Sequence, residues 1–192
     1  MPDRRYYPLW AALALLALPV AAHAAPTTWA VDPGRSTLTF ETTQQGEKFT
    51  GSFGKFQALV QYDEQAIADS RIEVTIDLRS VDTRARDRDQ TLAGGDWFDV
   101  AHQPTATFRT VAMRMTARGP TADADLAIKG KSQRIAFPFR FAVTGSDATL
   151  DAHVTIDRLD YGLGAGEWAD ESVVGRKVEV TTHLVLHAAP AK

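Results

Sequence analysis

An alternation of apolar and polar residues is the feature that most limits how this chain can fold. Every second residue is apolar over 72–78, 135–143, 150–156 and, apart from Thr182, 178–186, and most of the residues between them are polar. Because successive side chains of a strand point to opposite faces, this pattern predicts strands with one apolar and one polar face. A helix would instead repeat its apolar residues three and four apart. The pattern therefore predicts antiparallel sheet.

Weaker runs of the same kind extend the prediction to most of the chain. They cover residues 35–43, a glycine-interrupted stretch at 47–63, 104–116 and 122–129. Only the charged segment 84–93, which ends at a glycine pair, predicts a short helix. We therefore expect an all-β fold, with residues 25–192 forming a single domain as an antiparallel β-barrel of about eight strands. A two-sheet sandwich is the alternative.

Composition excludes several classes of function. The chain has no cysteine, which excludes disulfides, thiolate nucleophiles, iron–sulfur clusters and cysteine–zinc sites. Its formal net charge is -3, which argues against nucleic-acid binding because nucleic-acid binders usually carry a basic excess.

The first 24 residues are typical of a secretory signal peptide. Arg4 and Arg5 precede an apolar run from Leu9 to Ala22, and Ala22-His23-Ala24 is a small-x-small cleavage pattern. A membrane anchor is the alternative, but about 14 apolar residues fall short of the roughly 20 that a span needs. We expect cleavage after Ala24 and a periplasmic mature protein.

No residue pattern predicts catalysis or a metal site. His183 and His187 are four apart, which on a strand separates them by about 13 Å, too far to share an ion. The acidic cluster at Asp87, Asp89, Asp96 and Asp99 could serve a hydrolase, but alternation with arginines is more typical of an exposed helix. We expect no catalytic residues, no metal and no cofactor.

The apolar faces of the strands would all point into the barrel, where they either fill it or line a ligand tunnel. The predicted tunnel residues are Phe40, Phe53, Phe56, Ile72, Val74, Ile76, Leu78, Leu92, Phe108, Phe137, Phe139, Phe141, Val154, Val180 and Leu184.

Large apolar residues in the predicted loops indicate where a tunnel would open. Trp97, Phe98 and Trp168 lie in glycine-rich segments that should be at the surface, where an apolar patch usually marks a binding site. We expect them to surround the tunnel mouth together with Tyr161, and Arg88 to meet a polar or phosphate head group. Alternatively, these aromatic residues plug the barrel end as core.

Seven short motifs occur in an order that resembles the YceI-like family. They are 32–40 (DPGRSTLTF), 51–56 (GSFGKF), 88–99 (RDQTLAGGDWFD), 104–108 (PTATF), 126–130 (LAIKG), 160–164 (DYGLG) and 174–175 (VG). The resemblance covers about residues 28–187. It departs from the family pattern at Arg35 and Thr91, where the family usually carries histidine.

The resemblance implies a lipocalin-like barrel that binds polyisoprenoid or other long apolar chains, usually in the periplasm and often as a homodimer. The variants at 96–99 and 164–170 are similar to a subgroup found with membrane b-type cytochromes, which implies a quinone-like ligand. A head-group or metal role that rests on the two missing histidines is in doubt for this chain.

Three hypotheses of function remain open at this point. The first is a non-catalytic carrier of an isoprenoid lipid or quinone. The second is an interaction module with a filled core that docks on a membrane b-type cytochrome. The third is a hydrolase that uses the acidic residues between 87 and 99.

Export gives the first testable prediction. When the full chain is expressed in a Gram-negative host, N-terminal sequencing of the periplasmic protein should begin at Ala25, because the cleavage pattern ends at Ala24. Recovery of an uncleaved chain in the membrane fraction would contradict it.

Overall fold

The structure is a computed structural model that describes residues 25–190, so the predicted segment 1–24 lies outside the described residues. The described chain contains one α-helix, α1 (Arg86–Ala93), and short 3-10 turns. No helix among these residues is long and apolar enough to cross a membrane. The eleven strands are β1 (Thr28–Val31), β2 (Thr37–Gln44), β3 (Glu47–Phe53), β4 (Phe56–Gln61), β5 (Arg71–Asp77), β6 (Val81–Asp82), β7 (Thr105–Thr116), β8 (Gly119–Ile128), β9 (Lys131–Thr144), β10 (Asp147–Asp157) and β11 (Lys177–Ala188).

Eight of these strands close into an antiparallel barrel. Their order is β1-β4-β5-β7-β8-β9-β10-β11, and β11 pairs back onto β1. β11 also pairs with β2, from which β3 and β6 continue the sheet. Because β1 contacts residues 186–188 of β11 and β2 contacts 179–183, the two strands follow each other along β11. The predicted all-β barrel with one short helix is confirmed, and the sandwich alternative is wrong.

The ladder between β9 and β10 is incomplete and ends at a proline. β9 pairs with β8 over residues 131–138, but it pairs with β10 only over 139–144. Pro138 has no amide hydrogen to donate and lies just beyond the last β10 pair. Past that point Gln133 Nε2 donates to the carbonyl oxygen of Asp160, 3.1 Å away. The turn that follows β10 therefore links the two strands where the ladder stops.

Two hydrophobic clusters divide the barrel interior along its length. We call the first the packed half. Its large members interlock as aromatic pairs, with ring centroids of Phe108 and Phe137 4.8 Å apart and those of Tyr62 and Phe141 4.3 Å apart. The buried residues of the packed half are Trp29, Val60, Tyr62, Ile72, Phe108, Met113, Ala122, Ala124, Phe137, Phe139, Ala148, Leu150, Ala152, Leu184 and Leu186.

We call the second cluster the cavity half, because it surrounds the cavity described below. α1 and the 3-10 turn after β10 cover this end of the barrel with Leu92 and Tyr161. Its buried residues are Phe40, Leu78, Leu92, Trp97, Phe98, Ala106, Ile128, Ile156, Tyr161, Leu163 and Val174.

Arg158 connects the cavity half to the long loop that precedes β11. Its side chain is almost fully buried, with 1% of the residue exposed, and burial lowers the pKa of its guanidinium. All five N–H donors of an arginine find carbonyl acceptors here. The five distances lie between 2.5 and 3.0 Å, and the acceptors are the backbone oxygens of Leu163, Gly164, Trp168, Val174 and Gly175. One side chain therefore holds the whole 163–175 segment against the barrel.

Replacing this arginine tests how much the loop depends on it. Arg158→Lys keeps the charge but offers only three donors, so at least two buried carbonyls lose their partner. At about 1–3 kcal/mol each, the free energy of unfolding should fall by about 2–6 kcal/mol in urea denaturation. Arg134→Lys is the matched control, because the exposed Arg134 only pairs with Asp125 and should change stability by less than about 1 kcal/mol. Equal effects of the two substitutions would contradict the role of Arg158.

Candidate functional site

An apolar cavity of about 420 Å³ lies in the cavity half of the barrel. Strands β2, β3, β5, β7, β8, β10 and β11 contribute inward-facing residues to its wall, and α1 covers one side. Cavities of this size are within the range that holds small apolar ligands. The apolar lining consists of Leu38, Phe40, Phe49, Phe53, Ile76, Leu78, Ala85, Leu92, Trp97, Phe98, Ala106, Leu126, Ile128, Ile156, Leu163, Trp168, Val174, Val178 and Val180.

The exposed members of the lining show where the cavity opens. Asp87 and Thr91 on α1 are solvent-exposed, and Gln44 at the end of β2 is half-buried. On the same helix Leu92 is buried and turned to the interior. The mouth therefore lies between α1 and the β2–β3 hairpin, with apolar residues below it.

Arg88 is the cation at this mouth, and its position is fixed by several contacts. Its Nη1 donates to Gln44 Oε1 and its Nε donates to Thr83 Oγ1, both over 3.0 Å. The guanidinium carbon lies 4.1 Å from the ring centroid of Phe49. Among residues 25–190 no carboxylate lies within 4.0 Å of Arg88 to form an ion pair. The side chain is therefore held in place while its charge stays uncompensated by a carboxylate.

Trp97 forms a further part of the wall, with its ring held from two sides. The Trp168 ring meets it edge-on at 6.0 Å, and the Arg158 guanidinium lies 5.3 Å from its centroid. Gly164 permits this packing, because an added Cβ would lie 2.7 Å from both the Trp97 ring and Arg158. Gly164 also has φ of +62°, a left-handed conformation that favours glycine. The wall therefore depends on a residue without a side chain.

The structure separates the predicted tunnel residues into two groups. Six of the fifteen line the cavity: Phe40, Phe53, Ile76, Leu78, Leu92 and Val180. The other nine belong to the packed half or pack against it: Phe56, Ile72, Val74, Phe108, Phe137, Phe139, Phe141, Val154 and Leu184. Alternation identifies the inward face of a strand but says nothing about height along the barrel axis. The expectation of one continuous tunnel through all fifteen therefore has to be corrected to a cavity at one end.

The predicted mouth residues are placed together, but deeper than expected. Arg88, Trp97, Phe98 and Trp168 all line the cavity, whereas Tyr161 does not. Trp97 and Phe98 are only 7% exposed, so their predicted surface position is wrong. Tyr161 is 1% exposed, and burial raises its pKa to about 12. The loop of residues 163–175 and α1 cover these aromatic residues. Trp97 and Phe98 therefore line the cavity, as the mouth hypothesis predicted, and are also buried, as the core alternative predicted.

Two of the four acidic residues near α1, Asp89 and Asp99, have structural partners. Asp89 Oδ1 accepts from the amide and the hydroxyl of Thr83 at the start of the helix. Asp99 pairs with His102 over 2.8 Å and raises the pKa of that imidazole. In the described part of the chain no three His, Asp or Glu residues are grouped to hold a metal ion.

The two strand histidines are held apart, as their spacing predicted. His183 Nδ1 lies 2.6 Å from Asp151 Oδ1, and His187 Nδ1 lies 2.7 Å from Asp147 Oδ1. Each pair bridges β10 and β11 at a different point of the ladder and is partly exposed to solvent. They belong to the polar outer face of the barrel.

The two positions that depart from the family pattern lie in different places. Thr91 is exposed at the cavity mouth, on α1. Arg35 is exposed in the turn between β1 and β2, where it pairs with Asp32 over 2.7 Å. Its Nη2 also lies 3.0 Å from His187 Nε2. Arg35 does not line the cavity, so only Thr91 bears directly on what the mouth can contact.

The closed barrel, the apolar cavity at one end and the covering helix together define a barrel protein with an internal apolar cavity. The model of the YceI-like domain matches residues 29–186, and the chain belongs to this family.

Solved structures and curated relatives agree with this assignment. BcnA of Burkholderia cenocepacia is 34% identical with a TM-score of 0.77, covering 81% of this chain and 98% of that one. A polyisoprenoid binding domain from Saccharophagus degradans has the same fold, with a TM-score of 0.67, 17% identity and coverage of 85% and 99%. A UPF0312 protein of Vibrio cholerae is 28% identical over 168 residues, which is 82% of this chain and 89% of the relative.

The division of the interior predicts different costs for the same substitution in its two halves. Phe139→Ala removes a ring from the packed half and should lower the free energy of unfolding by about 3–5 kcal/mol. Phe53→Ala removes a half-buried ring that already borders the cavity, and should cost about 1–2 kcal/mol. Chemical denaturation of both variants checks this, and equal losses would contradict a cavity confined to one half.

Proposed function

We propose that this protein binds and carries the apolar tail of an isoprenoid-type lipid, a polyprenyl compound or a quinone, without catalysing a reaction. The observation that carries the proposal is the cavity of about 420 Å³, whose wall is almost entirely apolar and whose mouth is polar. Membership of the YceI-like family and the polyisoprenoid-binding description of the Saccharophagus degradans domain support a binding role.

The energetics set a minimum length for the buried tail. Each buried methylene-sized group contributes about 0.8 kcal/mol, so a five-carbon isoprene unit contributes about 4 kcal/mol. Association costs about 4–15 kcal/mol in lost freedom and ordering. About three units, with about 12 kcal/mol, therefore offset a cost in the middle of that range. Beyond what the cavity holds, a longer tail would have to leave through the mouth, since the packed half offers no continuation.

Arg88 is the proposed contact for the polar end of the lipid. Gln44 and Thr83 hold its side chain at the mouth, and it has no carboxylate partner within the described residues. It can therefore contact an anionic or carbonyl group with little further loss of side-chain conformational entropy. The exposed carboxylate of Asp87, on the same helix, would repel a head group that carries several negative charges.

The competing proposals fit the structure less well. A docking module with a filled core needs no cavity, and docking on a membrane b-type cytochrome remains a separate proposal, as does a homodimer. A hydrolase of this type would use a pair of carboxylates at the cavity, but of the four acidic residues near α1 Asp87 alone lines it, and Asp89 and Asp99 already accept from neighbouring groups. A periplasmic location is part of our proposal and rests on the pattern of residues 1–24.

A cavity-filling substitution tests the binding site. Val180 lines the cavity from β11, so Val180→Phe should displace about two methylene-sized groups of the tail and weaken binding of geranylgeraniol about tenfold. Affinity can be measured by native mass spectrometry of protein titrated in mild detergent.

Val185→Phe is the matched control for this experiment. Val185 lies on the same strand between the buried Leu184 and Leu186, and therefore on the outer face of the barrel. Its substitution should leave the affinity unchanged. Absence of binding by the wild-type protein, or equal binding by both variants, would overturn the proposed site.

A further inference from the structure

The inner end of the cavity falls at the same level of the barrel on neighbouring strands. On β5, Ile76 lines the cavity, whereas Val74, the next inward residue, packs against the packed half. On β7, Ala106 lines the cavity and Phe108 belongs to the packed half. These residues are ladder partners, because Ile76 pairs with Ala106 and Val74 pairs with Phe108. The cavity therefore ends between these two rows of the sheet.

Leu126 of β8 is the cavity-wall residue at this level. It pairs with Phe108 in the ladder between β7 and β8, yet it lines the cavity. Of the partly buried residues that the structure describes, it alone packs against both hydrophobic clusters. Two residues further into the packed half, Ala124 is fully buried and does not line the cavity. Leu126 therefore lies where the cavity meets the packed half.

A molecule inside the cavity can contact Leu126. This residue belongs to the inward-facing series of β8, between the buried Ala124 and Ile128. Unlike these two neighbours it is only half-buried, so part of its surface stays accessible. Because the residue lines the cavity from the inner face of the sheet, an apolar chain that reaches the inner end meets it.

The depth of the cavity can be measured along β2. Gln44 lies at the mouth, and Leu38 is the innermost residue of β2 in the lining. The strand rises about 3.3 Å per residue, so this distance is about 20 Å along the strand. With the strand tilt of about 35–45° that is typical of barrels, the depth along the barrel axis is about 15 Å. An extended isoprene unit adds four chain bonds of about 1.5 Å, or about 5 Å in length. The cavity therefore has the depth of about three units.

From this geometry we infer that Leu126 stops the tail and limits the buried part to about three isoprene units. The inference rests on the proposed function and narrows its ligand class to short-tailed isoprenoids. Tail length matters because it decides where the polar end lies. A tail of about three units that ends at Leu126 places its polar end at the mouth, beside Arg88. A longer tail pushes the polar end past Arg88, and a shorter one leaves the inner end of the cavity empty.

Two substitutions on the same strand and the same face test this stop. Leu126→Ala and Ile128→Ala remove the same number of carbon atoms from a cavity-lining side chain, but Ile128 lies two residues further from the packed half. The probes are farnesol and geranylgeraniol, which differ by one isoprene unit. Native mass spectrometry gives the affinity of each variant relative to wild type for the same lipid, so partition of that lipid into detergent cancels.

Only the substitution at the stop should change the dependence on tail length. Leu126→Ala should strengthen the binding of geranylgeraniol about tenfold, because about two further carbons of its tail become buried. The same variant should change the affinity for farnesol by less than about twofold, because that tail already ends at the stop. Ile128→Ala should change both affinities by the same factor.

Nuclear magnetic resonance locates the end of the tail in the unmodified chain. Farnesol labelled with ¹³C at its terminal methyl groups should show nuclear Overhauser contacts to the methyl groups of Leu126. It should show none to Leu150, which is buried in the packed half and does not line the cavity. Geranylgeraniol labelled at the same end should give the same result. This measurement decides the question even if the Leu126→Ala protein does not fold.

The outcomes distinguish this inference from the proposed function. If Leu126→Ala changes both affinities by the same factor, or if the terminal methyl groups contact Leu150, the inference is overturned while lipid binding stands. If the wild-type protein binds neither farnesol nor geranylgeraniol, the proposed function fails and the inference fails with it.

Discussion

The hydrogen bonds of Arg158 are the interaction on which the functional end of this barrel depends. A buried guanidinium is costly unless its donors are satisfied, and here five backbone oxygens satisfy all of them without a carboxylate. Those oxygens belong to a loop that has little regular structure of its own, apart from the 3-10 turn Gly166–Ala169. The same loop presses Trp168 and Gly164 against Trp97. The shape of this part of the cavity wall therefore depends on one buried charge, the guanidinium of Arg158, and not on the sheet alone.

The distribution of side-chain size along the barrel determines where the interior is filled. An eight-stranded barrel is just wide enough for its side chains to fill, so a small change in their volume decides between a core and a cavity. In the packed half, Trp29, Tyr62, Phe137 and Phe139 point inward at similar heights and interlock. The other end carries smaller inward residues such as Ala106 and Val180, and buried aromatics such as Trp97 and Phe98 form part of its wall. One architecture therefore combines a stabilising core with an apolar cavity.

Much of the fold could be predicted from the sequence, because the period of two directly reports which side of a strand is apolar. The helix could be predicted as well, since residues 84–93 interrupt that period. Height along the barrel could not, so Phe139 and Phe53 were indistinguishable as tunnel residues although they lie in different halves. Arg158 was missed despite a usable signal: it continues the inward series of Leu150, Ala152 and Ile156. The burial of Trp97 depends on contacts with distant loop residues, which local patterns do not contain.

These features together determine which part of the proposed ligand the protein would recognise. Hydrophobic burial is non-directional and roughly proportional to area, so the apolar wall distinguishes poorly between tails of similar length and width. Discrimination between ligands has to come from the few polar groups that contact them. Leaving a buried hydrogen-bond donor without an acceptor costs more binding free energy than a small shift of an apolar contact. Arg88 at the mouth is such a group. For the proposed ligand, the polar end that meets Arg88 therefore determines recognition more than the length of the tail does.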